Sequence, residues 1–477
     1  MTGFPRPSDE TQRIVAVDVV RGAALFGVLT VNLITEFRAS IFQQLLPPVM
    51  PAEGLDAAVE RAVELALESK AFALFSLLFG VGLAIQFGRL QESGRAGYYL
   101  SRRLLALLAF GLVHLLFIWN GDILAEYAIA GFVVLPFLRL SAEQLVKGAA
   151  LCLLVFFGFA FVPPPLTLPD PAALARHVAA ATDVYANGSY PQIWRFSLEE
   201  LRLMLPLHVN VFPRTVGLML LGAGIWKSGL LTGKAADVDG EVAGVGGEVV
   251  GVGGEVVGVG GEVVGVGGAA GVSSNAAGDL RGIALFGAMA TAVGFGLAAL
   301  DRPAILRGMV APIVLALGYG ALIFALASRY SPANRYSPDR QGADQGADQG
   351  ADRWRAGALR GRAGAHRGGA GAHRGRARVA GLQIVLRPLA ALGRTAFTQY
   401  ILQSVVFSFI FFGFGAGQFG KMGAAAALLL GVAVYVGQAA LSMVWLRHFR
   451  FGPLEWLWRV LMYGTTLRAR VSATRSA

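Results

Sequence analysis

The chain has a single cysteine, Cys152, among 477 residues. Neither a disulfide framework nor a cysteine-held metal cluster is open to it, and no redox compartment can be read from it. Charge is scarce as well, at 15% of residues, against about 25% in soluble domains. Combined with 55% hydrophobic residues, that scarcity excludes an ordinary cytosolic enzyme. The net charge of +11 would point to a nucleic-acid partner if the basic residues formed one folded patch. They sit instead between apolar stretches, and no nucleic-acid partner is expected.

What the chain does have is long apolar runs. A helix rises about 1.5 Å per residue and a bilayer core is about 30 Å thick, so a spanning helix needs roughly 20 mostly apolar residues. Such runs fall at 14–34, 70–88, 103–120, 123–138, 145–162, 205–226, 281–300, 309–328, 396–416 and 423–446. The first is not a cleaved signal peptide, because Asp18 and Arg21 interrupt it and no small-residue cleavage site follows. Arg and Lys cluster before the first run, between the second and third, between the fourth and fifth, across 329–395 and in the tail. Cytoplasmic connections retain such residues, so both termini are expected inside and the segments 35–69 and 163–204 outside as loops. The expected fold is an all-α polytopic membrane bundle of about ten transmembrane helices, in the inner membrane of a bacterial cell, with the lipid bilayer as its first partner.

Two cytoplasmic connections read as insertions, at 233–280 and 329–392. From Gly240 the unit GEVxGVG recurs with three glycines per unit, which breaks helices and lacks a coiled-coil seam. Lacking a Lys-Ser/Thr pair or a G-x-G-x-x-G that opens a helix, it reads as a flexible expansion rather than a phosphate cradle. The second insertion runs through GADQGADQGAD into an Arg/Gly-rich stretch. His366 and His373 there belong to a solvated basic arm beside anionic lipid rather than to a metal site. No metal is expected elsewhere.

Polar groups inside the runs carry the chemistry, since an ionisable side chain at bilayer depth costs at least about 2.5 to 3.5 kcal/mol and needs a partner. Asp18 and Arg21 share one face of the first helix, about 6 to 10 Å above its cytoplasmic end. They read either as a mutually neutralising pair or as an anion site for a nucleotide-bearing donor such as an acyl-coenzyme A, with Arg21 on the phosphates. His114 is expected about 16 Å into the third helix, converging near the midplane with Arg214 of the sixth. It is a candidate general base or proton relay, weighed against a satisfied structural histidine. Asp122 sits at the expected N-cap of the fourth helix. Glu126, one turn on, has no cation near it in sequence. With His208 and Asn210 it is a candidate acceptor site, or else part of an interfacial polar belt. Gln399, Tyr400 and Gln403 form a stripe suited to interhelical hydrogen bonds around the site. Residues Pro453–Tyr463 read as an interfacial amphipathic helix with Pro at its start.

Several passages are more specific than membrane composition alone. They are VDVVRGAALFGVLTVN from Val17, FSLLFGVGLAI from Phe75, RRLLALLAFGLVHLLFIWNGDILAEYAIAG from Arg102, GRTAFTQYILQSVV from Gly393 and FGPLEWLWR from Phe451. Together they resemble the YeiB-like family of bacterial multi-pass membrane proteins, whose C-terminal DUF418 domain would lie over roughly 226–466. A more distant resemblance, through Asp18, Arg21, Gly22 and Asn32, is to heparan-alpha-glucosaminide N-acetyltransferase-type membrane acyltransferases. Those relatives carry a histidine in the loop after the first helix, which 35–69 lacks here, and the acyltransferase-3 branch has His where this chain has Asn32. Those departures keep acyl transfer from carrying over directly; with the polar groups above, the chain reads as an acyltransferase-like membrane enzyme that takes a cytosolic acyl donor, with no bound cofactor, and modifies an extracytoplasmic or lipid-linked acceptor, whether small molecule, glycan or lipid. His114, Asp122 and Glu126 would be its catalytic groups. Asp18, Arg21, Asn32, His208, Asn210, Arg214, Gln399, Tyr400 and Gln403 would be its binding groups. A transporter or flippase using the same residues as a pathway, with breaks at Pro206 and Pro213, and a non-catalytic scaffold are the alternatives.

Overall fold

A computed structural model describes residues 14–46, 53–162, 164–231, 272–299, 306–329 and 383–464. Both chain ends and most of the two insertions lie outside the described residues, and with them the expected cytoplasmic termini. The described secondary structure is helical. In chain order the helices are α1 (Val15–Asn32), α2 (Gly54–Ala66), α3 (Lys70–Gln91), α4 (Ala96–Phe117), α5 (Leu124–Val134), α6 (Ala142–Gly158), α7 (Pro171–Asn187), α8 (Tyr190–Lys227), α9 (Val272–Ala299) and α10 (Ala311–Arg329). A helix over 383–394, α11, follows, then α12 (Ala396–Phe411), α13 (Ala424–His448) and α14 (Pro453–Tyr463). Seven helical stretches among the described residues are long and apolar enough to cross a membrane. The shorter α5, α6 and α12 occupy the other three apolar runs.

The segments expected as outer loops are not loops. In 163–204, Asp170 caps α7 by accepting the Ala172 and Ala173 amides (3.0 and 2.9 Å), and Pro171 takes the first helical position. Those amides, Ala173 first, hold the Asp170 carboxyl below its ordinary range. Ser189 and Gln192 then open α8 with a capping box. From there α8 runs unbroken for 38 residues through Pro206 and Pro213, so neither proline makes the break that a discontinuous helix requires. The 35–69 segment holds α2. Residues 383–392, assigned from sequence to the second insertion, are helical because Leu386, Leu389, Ala390 and Leu392 join the buried core.

Close helix crossings depend on glycine. A Cβ on Gly80 would collide with the Met219 carbonyl, and one on Gly222 with the Leu77 carbonyl, so α3 and α8 touch backbone to backbone. The same holds between α1 and α11, where Gly22 abuts Leu389 and Gly393 abuts Asp18. These two crossings flank one end of the bundle. The opposite end is closed by α7, the first half of α8, a π-helical turn over Leu33–Phe37 and the segment after α12. There Phe37, Phe407, Phe411 and Phe419 are fully buried.

Candidate functional site

A cavity of about 220 Å³ opens among α1, α3, α4, α5, α11, α12 and α14. Its lining includes Arg21, Arg103, Arg394 and Arg459 and a single carboxylate, Glu455. Each cation is held. Arg21 pairs with Asp18 (3.2 Å), as their spacing on one helix face requires. Arg103 donates to Gln86 (2.7 Å) and lies 4.5 Å above the Trp458 ring. Arg394 donates to the Arg450 carbonyl (3.2 Å), and Arg459 stands 4.2 Å over Phe451. Glu455 is committed elsewhere. It accepts the Phe397 and Thr398 amides (2.8 and 3.1 Å) and the Thr398 hydroxyl (2.5 Å), and so caps α12 from a neighbouring helix. Burial pushes its carboxyl upward, against the pull of those bonds.

Away from the arginines the walls are apolar, formed by Val28, Phe75, Leu78, Phe79 and Leu107, and the lining ends on Ile123, Leu124, Tyr127 and Tyr400. Tyr127 is fixed by bonds to the Phe72 carbonyl (3.0 Å) and Ser76 (2.9 Å). The Tyr400 hydroxyl accepts the Ile123 amide (3.4 Å), and its ring lies 5.3 Å from that of His114. Tyr400 therefore touches both the cavity and the next element of the site.

That element is a buried pair. His114 Nδ1 donates to Asp122 Oδ1 at 2.8 Å, with both side chains essentially inaccessible. The other Asp122 oxygen accepts the Ala125 amide (2.7 Å). The helix boundary puts the N-cap at Ile123, yet the Asp122 carboxylate still performs the capping. Since a carboxylate can only accept, His114 carries its proton on Nδ1, which leaves Nε2 as a buried acceptor with no protein partner.

His114 does not lie about 16 Å into its helix, as the apolar run suggests. Because α4 begins at Ala96 rather than near 103, His114 falls in the last turn, about 27 Å along the helix. The helix starts early because Arg102 and Arg103 are satisfied within it. Arg102 donates to the Leu461 carbonyl (2.8 Å) and Trp458 donates to the Arg103 carbonyl (2.8 Å), both on α14. Nor does Arg214 converge on His114. Its guanidinium lies 5.6 Å over Phe156 of α6.

Glu126 does have a basic partner, contrary to its sequence context. It accepts from His208 Nδ1 and from Thr215, each at 2.7 Å. Asn210 points away, donating to the Leu166 carbonyl (3.1 Å). Asn32 is buried without a partner for its carbonyl oxygen. Gln399 and Gln403 make the expected bonds across to α13, to Ser442 (3.0 Å) and Gln438 (2.8 Å).

Residues of the expected outer loops complete the site, and sequence reading passed over them. Glu200 of α8, almost wholly buried, accepts from Asn120 (2.7 Å), Tyr185 (2.5 Å) and His177 (2.7 Å). Trp119 stacks on Phe37 at 4.3 Å, and Gly121 lies against the Glu36 carboxylate, where a Cβ would collide. The available signal was the Glu199-Glu200 pair inside a capped helical segment. Among the described residues no cluster of three metal-binding side chains occurs.

Fold and site together define a polytopic, all-helical membrane protein with a cation-lined cavity and a buried histidine–aspartate pair. Residues 375–465 match the family described as "Protein of unknown function (DUF418)". Over 480 residues, covering 96% of each chain, the protein is 27% identical to "Uncharacterized protein YxaH" of Bacillus subtilis (strain 168). It is 26% identical to "Uncharacterized protein YeiB" of Escherichia coli (strain K12) over 471 residues, 96% of this chain and 97% of that one. A 162-residue stretch, 33% of this chain and 44% of the relative, is 36% identical to "Uncharacterized 39.9 kDa protein in amylase 3'region" of Bacillus acidopullulyticus. The chain is thus similar over nearly its whole length to YeiB-like proteins, and its residues 375–465 match the DUF418 family.

Proposed function

We propose that the protein is an acyltransferase of the bacterial inner membrane that takes a cytosolic acyl donor, an acyl-coenzyme A, and modifies an extracytoplasmic or lipid-linked acceptor. The supporting observation is that one residue, Tyr400, touches both the arginine-lined cavity and the His114–Asp122 pair. The arginines suit the phosphates of the donor, because guanidinium groups bind phosphate oxygens by paired, charge-assisted hydrogen bonds. The apolar walls suit its acyl chain.

In the transfer, His114 Nε2 takes the proton from the acceptor hydroxyl or amine as that atom attacks the thioester carbonyl. Asp122 holds the ring by its Nδ1–H and stabilises the imidazolium. The new acyl bond forms, the C–S bond breaks, and the imidazolium returns its proton to the departing sulfur. The acyl ester or amide and the free thiol are the products.

The test uses the purified protein in lipid nanodiscs with radiolabelled acetyl-coenzyme A and palmitoyl-coenzyme A as probes. Saturable binding of either probe, weakened in Arg103→Gln and unaffected in His114→Gln, is the expected result. Binding of neither probe by the wild type, together with pH-dependent solute or lipid movement in proteoliposomes, would replace the enzyme with a carrier.

A further inference from the structure

The segment that carries Asp122 lies between the end of α4 at Phe117 and the start of α5 at Leu124. No helix fixes its geometry, so side-chain anchors must do so. Reading along it, Trp119 is stacked on Phe37, Asn120 donates to Glu200 (2.7 Å), Gly121 is pressed against Glu36, and Asp122 meets His114. The Asn120–Glu200 bond is buried and charge-assisted, of the strong kind. It ties the segment to a helix 80 residues further on.

We infer that Glu200 is a positioning residue, which sets the His114–Asp122 pair by gripping Asn120 two residues away. Glu200 is itself placed by two donors. The Tyr185 hydroxyl and His177 Nε2, both on α7, donate to its two oxygens. Phe196 stacks on the His177 ring at 5.3 Å, and Phe412 stacks on Tyr185 at 4.9 Å. The carboxylate is thus over-determined by groups that touch neither the cavity nor His114, which is the arrangement expected of a support for a site that must hold its geometry. In function the inference rests on the reading of His114 as the base; the geometry it invokes does not.

The experiment follows the proton on His114 Nδ1 by NMR of the full-length protein in nanodiscs with ring-15N histidine, the signal being assigned by its disappearance in His114→Gln. A ring N–H bonded to a buried carboxylate gives a slowly exchanging, far-downfield proton signal. Asn120→Asp faces Glu200 with a second carboxylate, and Asn120→Ala removes the bond without repulsion. In both, the signal should be lost or moved upfield in protein whose thermal unfolding is still cooperative. The double variant Asn120→Asp with Glu200→Gln restores a donor and an acceptor with their direction reversed, and the signal should return.

An unchanged wild-type signal in folded Asn120→Ala would overturn the inference, as would a double variant no better than Asn120→Asp alone. A wild type without the signal would remove the pair and, with it, both the inference and the proposed base. If the signal behaves as expected while neither acyl-coenzyme A binds, Glu200 keeps its role and acyl transfer is what fails.

Discussion

The two ends of the bundle treat charge in opposite ways. At one, Arg21, Arg103, Arg394 and Arg459 surround an open cavity whose only lining carboxylate, among the described residues, already caps α12. At the other, three histidine–carboxylate pairs, His114–Asp122, His177–Glu200 and His208–Glu126, close on one another with bonds of 2.7 to 2.8 Å. An excess of one sign around a void suits a ligand of the opposite sign. Balanced signs suit the holding of geometry and the movement of a proton. The residue types differ accordingly: arginine, which keeps its charge, at the first end, and histidine, which exchanges protons near neutrality, at the second.

The contrast can be broken first at the closed end. His114→Gln should lower transfer by about 10²- to 10⁴-fold, the usual contribution of a general base, while donor affinity stays the same. Single-turnover product formation set beside equilibrium binding separates the two. A variant impaired in binding alone would erase the proposed division of labour.

Next comes the crossing that frames the open end. Gly393→Ala drives a methyl group into the Asp18 carbonyl, and should cost about 1 to 3 kcal/mol as overpacking together with most of the donor binding. Gly88→Ala on α3, where a Cβ meets open space, should leave the unfolding midpoint unchanged or raise it, since alanine is the better helix former. Equal effects of the two substitutions would mean that α1 and α11 do not cross as described.

Smaller effects should follow from thinning the cationic rim. Arg103→Gln and Arg459→Gln should each weaken acyl-coenzyme A binding about tenfold, or about 1.4 kcal/mol, with a shallower dependence on salt and no change in transfer from the bound state. The smallest belongs to the rim's one acid. Glu455→Gln keeps an acceptor for the α12 amides but not its charge, and should destabilise the protein by about 0.5 kcal/mol, read as a slight fall in the unfolding midpoint.

Much of this was legible beforehand. Apolar runs located every helix long and apolar enough to span, Pro453 marked the first residue of α14, the Asp18–Arg21 spacing allowed their pairing, and the Gln399–Gln403 stripe pointed to interhelical bonds without naming Ser442 or Gln438, because helical periodicity is a local property. His114 and Asp122 were picked out separately, but that they meet depends on the unwound segment between α4 and α5, which has no period to read. Glu126 looked unpaired because His208 is 82 residues away. Glu200 was hidden for a different reason: α7 and the first half of α8 are too polar to register as membrane helices, and without that signal they read as loop. The place of His114 along its helix is not legible either, because arginines at 102 and 103 look like the start of a helix, whereas the α4 backbone begins at Ala96.

The cavity draws its walls from Arg21 at one end of the chain and Tyr463 near the other. A ribosome that has delivered α1 to α10 into the membrane has therefore built the closed end's three histidine pairs but only half of the open one. The segment matched as DUF418, residues 375–465, contributes α11, α12 and α14 to that wall, and Trp458 grips α4 from more than 350 positions downstream. A nonsense codon before α14 would thus leave a membrane-inserted bundle whose arginine cavity stands open on one side. Enclosure of the cavity is in this sense a property the chain acquires only with α14.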